Sequence, residues 1–147
     1  MSNIHTDGLP YFTANELKCK GSGELILDIR FASRLPELRA EWGHGMTLNS
    51  CCRSPEHNKR VGGHPNSLHL TKNPKHPTHG TAACDVRWSD WSHEFQLGFA
   101  RLAYSKGWSV GLHQSFCHID ARKWCDLNQA VFLYGSWDGR FTKEDVL

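Results

Sequence analysis

Residues 80–87 read GTAACDVR, and residues 115–122 read SFCHIDAR. Both stretches alternate small apolar side chains with polar ones, which is the pattern of a strand that is buried on one face. Asp85 lies on the polar face of the first strand, and His118 and Asp120 share the polar face of the second. If the two strands are neighbours in one sheet, Asp85 and His118 meet on one surface, while the apolar side chains face the core.

The segments around these strands predict helices that come first along the chain. Residues 13–16, Thr-Ala-Asn-Glu, match a capping box that opens a short helix. A longer helical stretch follows over about residues 25–42, where Ser33 is a candidate cap for a restart and Pro36 would kink a continuous helix. Other segments predict helices over residues 55–60 and 89–105, and strands over residues 47–52, 108–112 and 132–134.

Length and composition narrow the class of protein. A chain of 147 residues with six Trp and seven Phe is long enough for one domain with a real core. We therefore expect a single compact α+β domain over residues 1–147, with N-terminal helices packed on a small antiparallel sheet. The net charge of +2 does not indicate a nucleic-acid partner, and no apolar run is long enough to span a membrane.

Histidines are concentrated in the residues that precede the first of the two strands. Five of the ten histidines fall within residues 57–79, and residues 64–81 show no period, which predicts a loop. A histidine of this loop could complete a three-residue cluster with Asp85 and His118. Two imidazoles and a carboxylate, with a fourth position left to water, form a catalytic zinc site. The alternative interpretation is that each polar pair is an ordinary solvent-facing strand surface.

Three segments in this order carry a family resemblance: CRSPEHNKRVGGHPNSLHL at residues 52–70, GTAACDV at residues 80–86 and SFCHIDAR at residues 115–122. They resemble the zinc peptidases that include D-alanyl-D-alanine carboxypeptidases and L-alanyl-D-glutamate endopeptidases. The pattern of that family is an Arg-Ser turn, then S-x-H-x-x-G-x-A-x-D, then a late H-x-D or H-x-H. The opening YFTANELKCK, residues 11–20, is similar to the start of phage-type members, so the resemblance spans about residues 11–122.

The resemblance implies roles for five residues. His69, Asp85 and His118 would hold one zinc ion in a cleft on the sheet. Arg53 would lie across the cleft and hold a substrate carboxylate or the developing oxyanion, a role that suits a planar and always charged guanidinium. Ser67 would be the motif serine beside the first ligand, and it would bind the substrate together with Arg53. The substrate would be a peptide of bacterial peptidoglycan, and we expect the protein to act as a monomer.

The first departure from the family pattern concerns the spacing of the ligands. His69 and Asp85 are sixteen positions apart, with residues 72–79, KNPKHPTH, between them. Either a surface loop is inserted after His69, or His79 replaces it as ligand. We favour His69, because Ser67-Leu-His69 keeps the motif context. The insertion could then form a flap over the cleft that places His76 or His79 near substrate.

The second departure concerns the base that removes a proton from water. Many relatives carry an Asp or Glu three residues before the last histidine, where this chain has Ser115. Asp120 is the leading replacement and His113 the next, since a carboxylate or a neutral imidazole can accept the proton. Asp120 could instead orient His118 from behind. The base is therefore left open between these residues.

The resemblance implies a zinc peptidase that cleaves the stem peptides of the bacterial cell wall, without revealing which bond is cut. The phage-like opening, together with a first thirty residues that lack a signal-peptide pattern, predicts an endolysin. Such a protein stays in the host cytoplasm before lysis. Two alternatives remain: a non-catalytic zinc-containing protein of the wall or the virion, and a metal-dependent nuclease, which the near-neutral charge does not favour.

Overall fold

The computed structural model describes residues 3–4 and 6–147. Its first part contains two short antiparallel pairs: β1 (Asn3–Ile4) with β4 (Leu27–Asp28), and β2 (Gly8–Leu9) with β3 (Phe12–Thr13). Helix α1 (Ala14–Leu17) follows β3 directly. The Thr13 side chain accepts a hydrogen bond from the Glu16 backbone, and the Glu16 side chain accepts one from the Thr13 backbone. The predicted capping box is therefore confirmed.

Helix α2 (Ile29–Trp42) is continuous through Pro36 and does not restart at Ser33. It begins later than predicted because Asp28 is its cap: the Asp28 carboxylate accepts a hydrogen bond from the Arg30 backbone at 2.9 Å. The helix ends at Gly43, whose φ of 74° is the left-handed conformation that glycine adopts readily.

A five-stranded sheet forms the centre of the molecule. Its strands are β5 (Leu48–Ser50), β6 (Ala83–Arg87), β7 (Ser109–Leu112), β8 (Phe116–Asp120) and β9 (Val131–Leu133), in the order β5-β6-β8-β7-β9. Four strands are antiparallel, as predicted, whereas β9 runs parallel to β7. Because β8 is antiparallel to β7, it ends beside the start of β7. The chain enters β9 at this same end of the sheet, so β9 runs in the direction of β7.

Three further helices complete the α+β domain: α3 (Pro55–Arg60), α4 (His93–Ser105) and α5 (Lys143–Val146). A single 3₁₀ turn spans Arg122–Cys125. Helix α4 starts at His93 because the Ser92 side chain accepts the hydrogen bond that caps it. In the part of the chain that the structure describes, no helix has the length and apolarity needed to cross a bilayer.

One apolar core joins the sheet to helices α2 and α4. The inward side chains of β6 and β8 are fully buried and belong to the same cluster as Phe31 of α2 and Phe99 of α4. Phe31 also packs edge-on against Trp108, with ring centroids 5.9 Å apart. Because successive strand residues point to opposite faces, the polar residues of β6 and β8 lie on the other face of the sheet.

Candidate metal centre

The centre begins with two neighbouring strands. In the antiparallel register of β6 and β8, Asp85 lies directly opposite His118. The Oδ1 atom of Asp85 is 3.1 Å from Nδ1 of His118. Neither side chain forms open strand surface, since Asp85 is 3% exposed and His118 is 6% exposed. The convergence predicted from the strand period therefore occurs, but in a buried setting.

His69 reaches the same carboxylate from the loop that precedes β6. Its backbone oxygen accepts hydrogen bonds from the Arg53 backbone at 2.9 Å and from Thr81 Oγ1 at 2.7 Å. These two bonds hold the backbone of His69 between Arg53 and Thr81. Its Nε2 atom lies 3.2 Å from Oδ1 of Asp85, and its Nδ1 atom lies 2.8 Å from the backbone oxygen of Cys51.

The hydrogen bonds behind the two imidazoles decide which nitrogens are free. Nδ1 of His69 faces the Cys51 carbonyl and Nε2 of His118 faces Asp120 at 2.8 Å, so both nitrogens donate. The remaining nitrogens of both rings point at one oxygen of Asp85. A dication satisfies the same three atoms with neutral imidazoles.

A metal ion fits this arrangement. One ligand atom from each of His69, Asp85 and His118 can be chosen so that all three lie within 4.8 Å of one another. Two imidazole nitrogens and one carboxylate oxygen are a donor set typical of zinc, and the outer hydrogen bonds supply the orientation that zinc ligands usually have. The buried triad could therefore bind one zinc ion.

The charges of the neighbours determine the protonation of the two strand residues. Burial alone would raise the pKa of Asp85, but the two histidines beside it bring that pKa well below its usual range. Burial alone would lower the pKa of His118, but hydrogen bonds to Asp120 and Asp85 raise it to about 9. The metal-free centre thus holds a carboxylate and a protonated His118 at neutral pH.

His79, the alternative to His69, lies outside this group. Its side chain is exposed, and its backbone N–H donates to Oδ2 of Asp28 at 2.9 Å. Among the described residues, the cluster that could hold a metal ion contains His69 and not His79. The family motif around His69 is therefore the better guide to the ligand than proximity to Asp85 along the chain.

Arg53 lies beside the centre rather than across the cleft from it. Its Nη2 atom donates to Oδ2 of Asp85 at 3.3 Å, its Nε to Ser50 at 3.1 Å and its Nη1 to Asn58 at 3.3 Å. The backbone bridge between Arg53 and Leu70 places it next to the loop that carries His69. The guanidinium therefore holds one oxygen of Asp85 while the other oxygen faces the histidines, and part of it remains open to the cleft.

Ser67, predicted to bind substrate, lines the cleft and also has a local structural contact. Its Oγ atom accepts a hydrogen bond from the His69 backbone at 3.1 Å. This is a short side-chain-to-backbone turn of the kind that serine favours in loops. The contact explains why a serine two residues before the first ligand helps to position it.

Asp120 lies behind His118, on the side away from Asp85. Its two oxygens contact His118 Nε2 and three N–H groups of Arg122 at 2.7–3.1 Å, and the side chain is fully buried. Burial alone would raise the pKa of Asp120, but hydrogen bonds from His118 and Arg122 hold that pKa well below its usual range. This geometry favours the orienting role of Asp120 over its assignment as base, because His118 and Arg122 engage both of its oxygens.

His113, the second candidate base, does not line the cleft. Its ring stacks on Phe116 with centroids 4.2 Å apart, and its Nδ1 atom accepts a hydrogen bond from the Ser115 backbone at 3.0 Å. The ring thus packs behind Phe116 and does not face the triad. The structure does not bring His113 together with the other predicted site residues.

A cleft of roughly 810 Å³ opens onto the triad. Asp85 is the one carboxylate among the described lining residues. Outside the triad, the aromatic and basic side chains of the lining are Arg53, His64, His76, Phe116, Arg122, Phe132 and Tyr134. The sequence reasoning missed Arg122, Phe132 and Tyr134. For Arg122 a signal existed, since it continues the polar alternation of His118 and Asp120.

The comparison with protein families gives one match. A family model described as Peptidase M15 matches residues 10–120, which include the whole triad and the loop between His69 and Asp85. Neither the comparison with curated proteins nor the comparison with solved structures finds a match.

Proposed function

The chain belongs to the Peptidase M15 family, whose members are zinc-dependent peptidases, and from this premise we propose that it hydrolyses the stem peptides of bacterial peptidoglycan as a phage-type endolysin. The observation that carries the proposal is the convergence of His69, Asp85 and His118 on the floor of an open cleft. When bound there, zinc supplies a Lewis acid that activates water and polarises a peptide carbonyl.

The side chains around the triad support a role in hydrolysis. Cys51 and Asp120 fix the two imidazoles from behind, so each ring presents one nitrogen to the centre. Arg53 holds the second oxygen of Asp85 and keeps a partly exposed guanidinium beside the place where charge develops on a carbonyl oxygen. Such preorganised groups lower the cost of forming the transition state.

The charge of the cleft supports an acidic peptide as substrate. Arg53 and Arg122 both line it, and Arg122 is paired with Asp120. Asp85 is the one carboxylate among the described lining residues, and a metal that balances its charge would leave the charge of Arg53 for a substrate. Stem peptides of peptidoglycan carry free carboxylates, which guanidinium groups bind well. Phe132 and Tyr134 add apolar surface for the aliphatic parts of such a peptide.

The endolysin role is supported by the opening of the motif-bearing region. Residues 11–20 resemble the start of phage-type members, and they precede the family's Arg-Ser turn in the same order. In this role the protein accumulates in the host cytoplasm, acts on the wall at lysis and functions as a monomer. Its net charge of +2 does not oppose approach to an anionic wall.

The test is digestion of purified murein sacculi, followed by mass spectrometry of the released fragments. We expect wild-type protein to release new amino groups, a chelator to stop the release and added zinc to restore it. The fragment masses identify the bond that is cut and so separate a carboxypeptidase from an endopeptidase. His69→Ala should be inactive, whereas the matched variant His79→Ala should be active. If zinc-loaded wild-type protein leaves the murein intact, the proposed hydrolysis is wrong and the protein is a non-catalytic zinc protein.

A further inference from the structure

The structure leaves open which group accepts the proton of the attacking water. Position 115 holds a serine, Asp120 is held behind His118, and His113 lies outside the cleft. Apart from the triad and the permanently charged Arg53 and Arg122, the titratable side chains that line the cleft are His64, His76 and Tyr134. The hydrogen bonds of these three side chains distinguish them.

His76 lies in the insertion, residues 72–79. The N-terminal end of this insertion is held by hydrogen bonds of the Asn73 side chain. Nδ2 of Asn73 donates to the backbone oxygens of Asn66 and Ser67 at 3.1 and 3.0 Å. Oδ1 of Asn73 accepts hydrogen bonds from the Lys75 and His76 backbones at 3.0 and 2.9 Å. One side chain therefore ties the backbone of His76 to the loop that carries His69.

The far end of the insertion is fastened to the start of helix α2. Arg30 donates to the backbone oxygen of Pro77 at 2.9 Å, and the fully buried Asp28 accepts from the His79 backbone at 2.9 Å. With both ends held, the segment is a built part of the cleft rather than a loose flap. The location of His76 on the cleft follows from these anchors.

The ring of His76 is the lining imidazole whose nitrogens are free. Nδ1 of His64 accepts a hydrogen bond from the Asn66 backbone at 3.0 Å, so the neutral ring has no lone pair left to accept a proton. Burial raises the pKa of Tyr134 far above neutrality, so its hydroxyl stays protonated and donates. In the described part of the chain, no hydrogen bond engages the His76 ring.

The surroundings of His76 keep it neutral. Partial burial and the positive charges of Lys75 and Arg122 lower the pKa of His76 below its ordinary value, and the negative charge of Asp120 opposes this only in part. A neutral imidazole with a free lone pair at pH 7 is what proton abstraction from water requires.

We propose that His76 is the general base and then the general acid of the hydrolysis, in the place of the carboxylate that this chain lacks at position 115. The inference rests on the proposed function. Water loses one proton to the free nitrogen of His76 as its oxygen bonds to the scissile carbonyl carbon. The same proton then passes to the leaving nitrogen as the carbon–nitrogen bond breaks. The imidazole ends neutral, and no co-reactant other than water is consumed.

The kinetic test compares His76→Ala and His76→Gln with His79→Ala, a matched variant three residues along the same segment whose side chain is exposed. On murein sacculi we expect kcat of both His76 variants to fall by about 10²–10⁴, with KM and zinc affinity unchanged. The acid limb of the kcat–pH profile should disappear, and added imidazole should restore part of the activity of His76→Ala. His79→Ala should behave as wild type.

A second measurement does not depend on turnover. Metal-free wild-type protein, kept in chelator, is titrated with soluble muropeptides, and the histidine ring resonances are followed by NMR. We expect the His76 resonances to shift and those of His79 to stay. If wild type is active and His76→Ala is equally active, the base assignment is wrong while the proposed function stands. The same conclusion follows if the His76 variants lose zinc in proportion to their loss of activity. A wild type that leaves murein intact overturns the proposed function, and the base assignment with it.

Discussion

The two halves of the metal centre are held by different kinds of bonds. Asp85 and His118 lie on β6 and β8, where five successive residue pairs of a regular antiparallel ladder fix them opposite each other. His69 and His76 lie on a loop without regular structure, where side chains bond to the backbone: Thr81 to the oxygen of His69, and Asn73 to the chain on either side of it. The strand half depends on the sheet, whereas the loop half depends on a few particular side chains.

This difference explains how the chain can contain an insertion beside a ligand. The backbone of Thr71 donates to Arg53 at 2.9 Å, and the backbone of Thr81 donates to Ile26 at 2.9 Å. Residues 72–79 leave after the first of these bonds and return before the second. The loop half can therefore gain eight residues without moving His69, while an extra residue in β6 would turn Asp85 to the opposite face.

The largest effect is expected when the ligand supplied by the loop half is removed. His69→Ala should abolish zinc binding, because the triad loses one of its three ligand atoms, and murein hydrolysis should be lost with it. His79→Ala removes the same side chain from the same loop and should keep both. Zinc content after dialysis, measured by atomic emission, checks this. The reverse result would make His79 the ligand and would place the insertion inside the centre.

The same difference shows what could be predicted from the sequence. The two-residue period sorts each strand into two faces before any partner is known, so it predicts that Asp85 and His118 meet if the two strands are neighbours; the pairing itself is seen only in the structure. His69 required the family motif, because residues 64–81 have no period that could indicate where its ring points. The anchors of His76 could not be predicted, since Asn73 bonds to residues that only the folded loop brings near. The role of Asp120 was open for a related reason: a strand pattern gives its face but not its partners.

Within the strand half, Asp120 should tune the centre from behind rather than take part in the proton transfer. Asp120→Asn replaces the carboxylate that faces His118 Nε2 with an amide, which weakens the orientation and basicity of the ligand. Zinc affinity should fall by about 10–100-fold, the usual cost of losing such a partner. Competition with a chromophoric chelator measures the affinity. Unchanged affinity together with a large loss of kcat would instead support Asp120 as the base.

The pH dependence of zinc binding should report His118 directly. In the metal-free protein the pKa of His118 is raised to about 9, so below that pH the ring is protonated and its Nδ1 proton must leave before a metal can bind. Zinc binding at pH 7 should therefore release a proton. For each proton released, the zinc affinity should fall about tenfold for every unit by which the pH is lowered. Calorimetry in buffers of different ionisation enthalpy counts the protons. Binding without proton release at pH 7 would contradict the protonated His118.

The smallest expected effect tests the anchors of the loop half. Asn73→Ala removes the hydrogen bonds that tie the His76 backbone to Asn66 and Ser67, and should lower the free energy of unfolding by about 1–2 kcal/mol, because one or two net hydrogen bonds of ordinary strength are lost. Lys72→Ala, on an exposed neighbour, is the matched control and should change stability little.

Zinc affinity should stay unchanged in both variants, because His69 keeps its bonds to Arg53 and Thr81. The kcat of Asn73→Ala should fall while its zinc content stays full, since His76 loses its position and the triad does not. If zinc affinity falls in step with kcat, residues 72–79 also support His69, and the two parts of the loop are not independent.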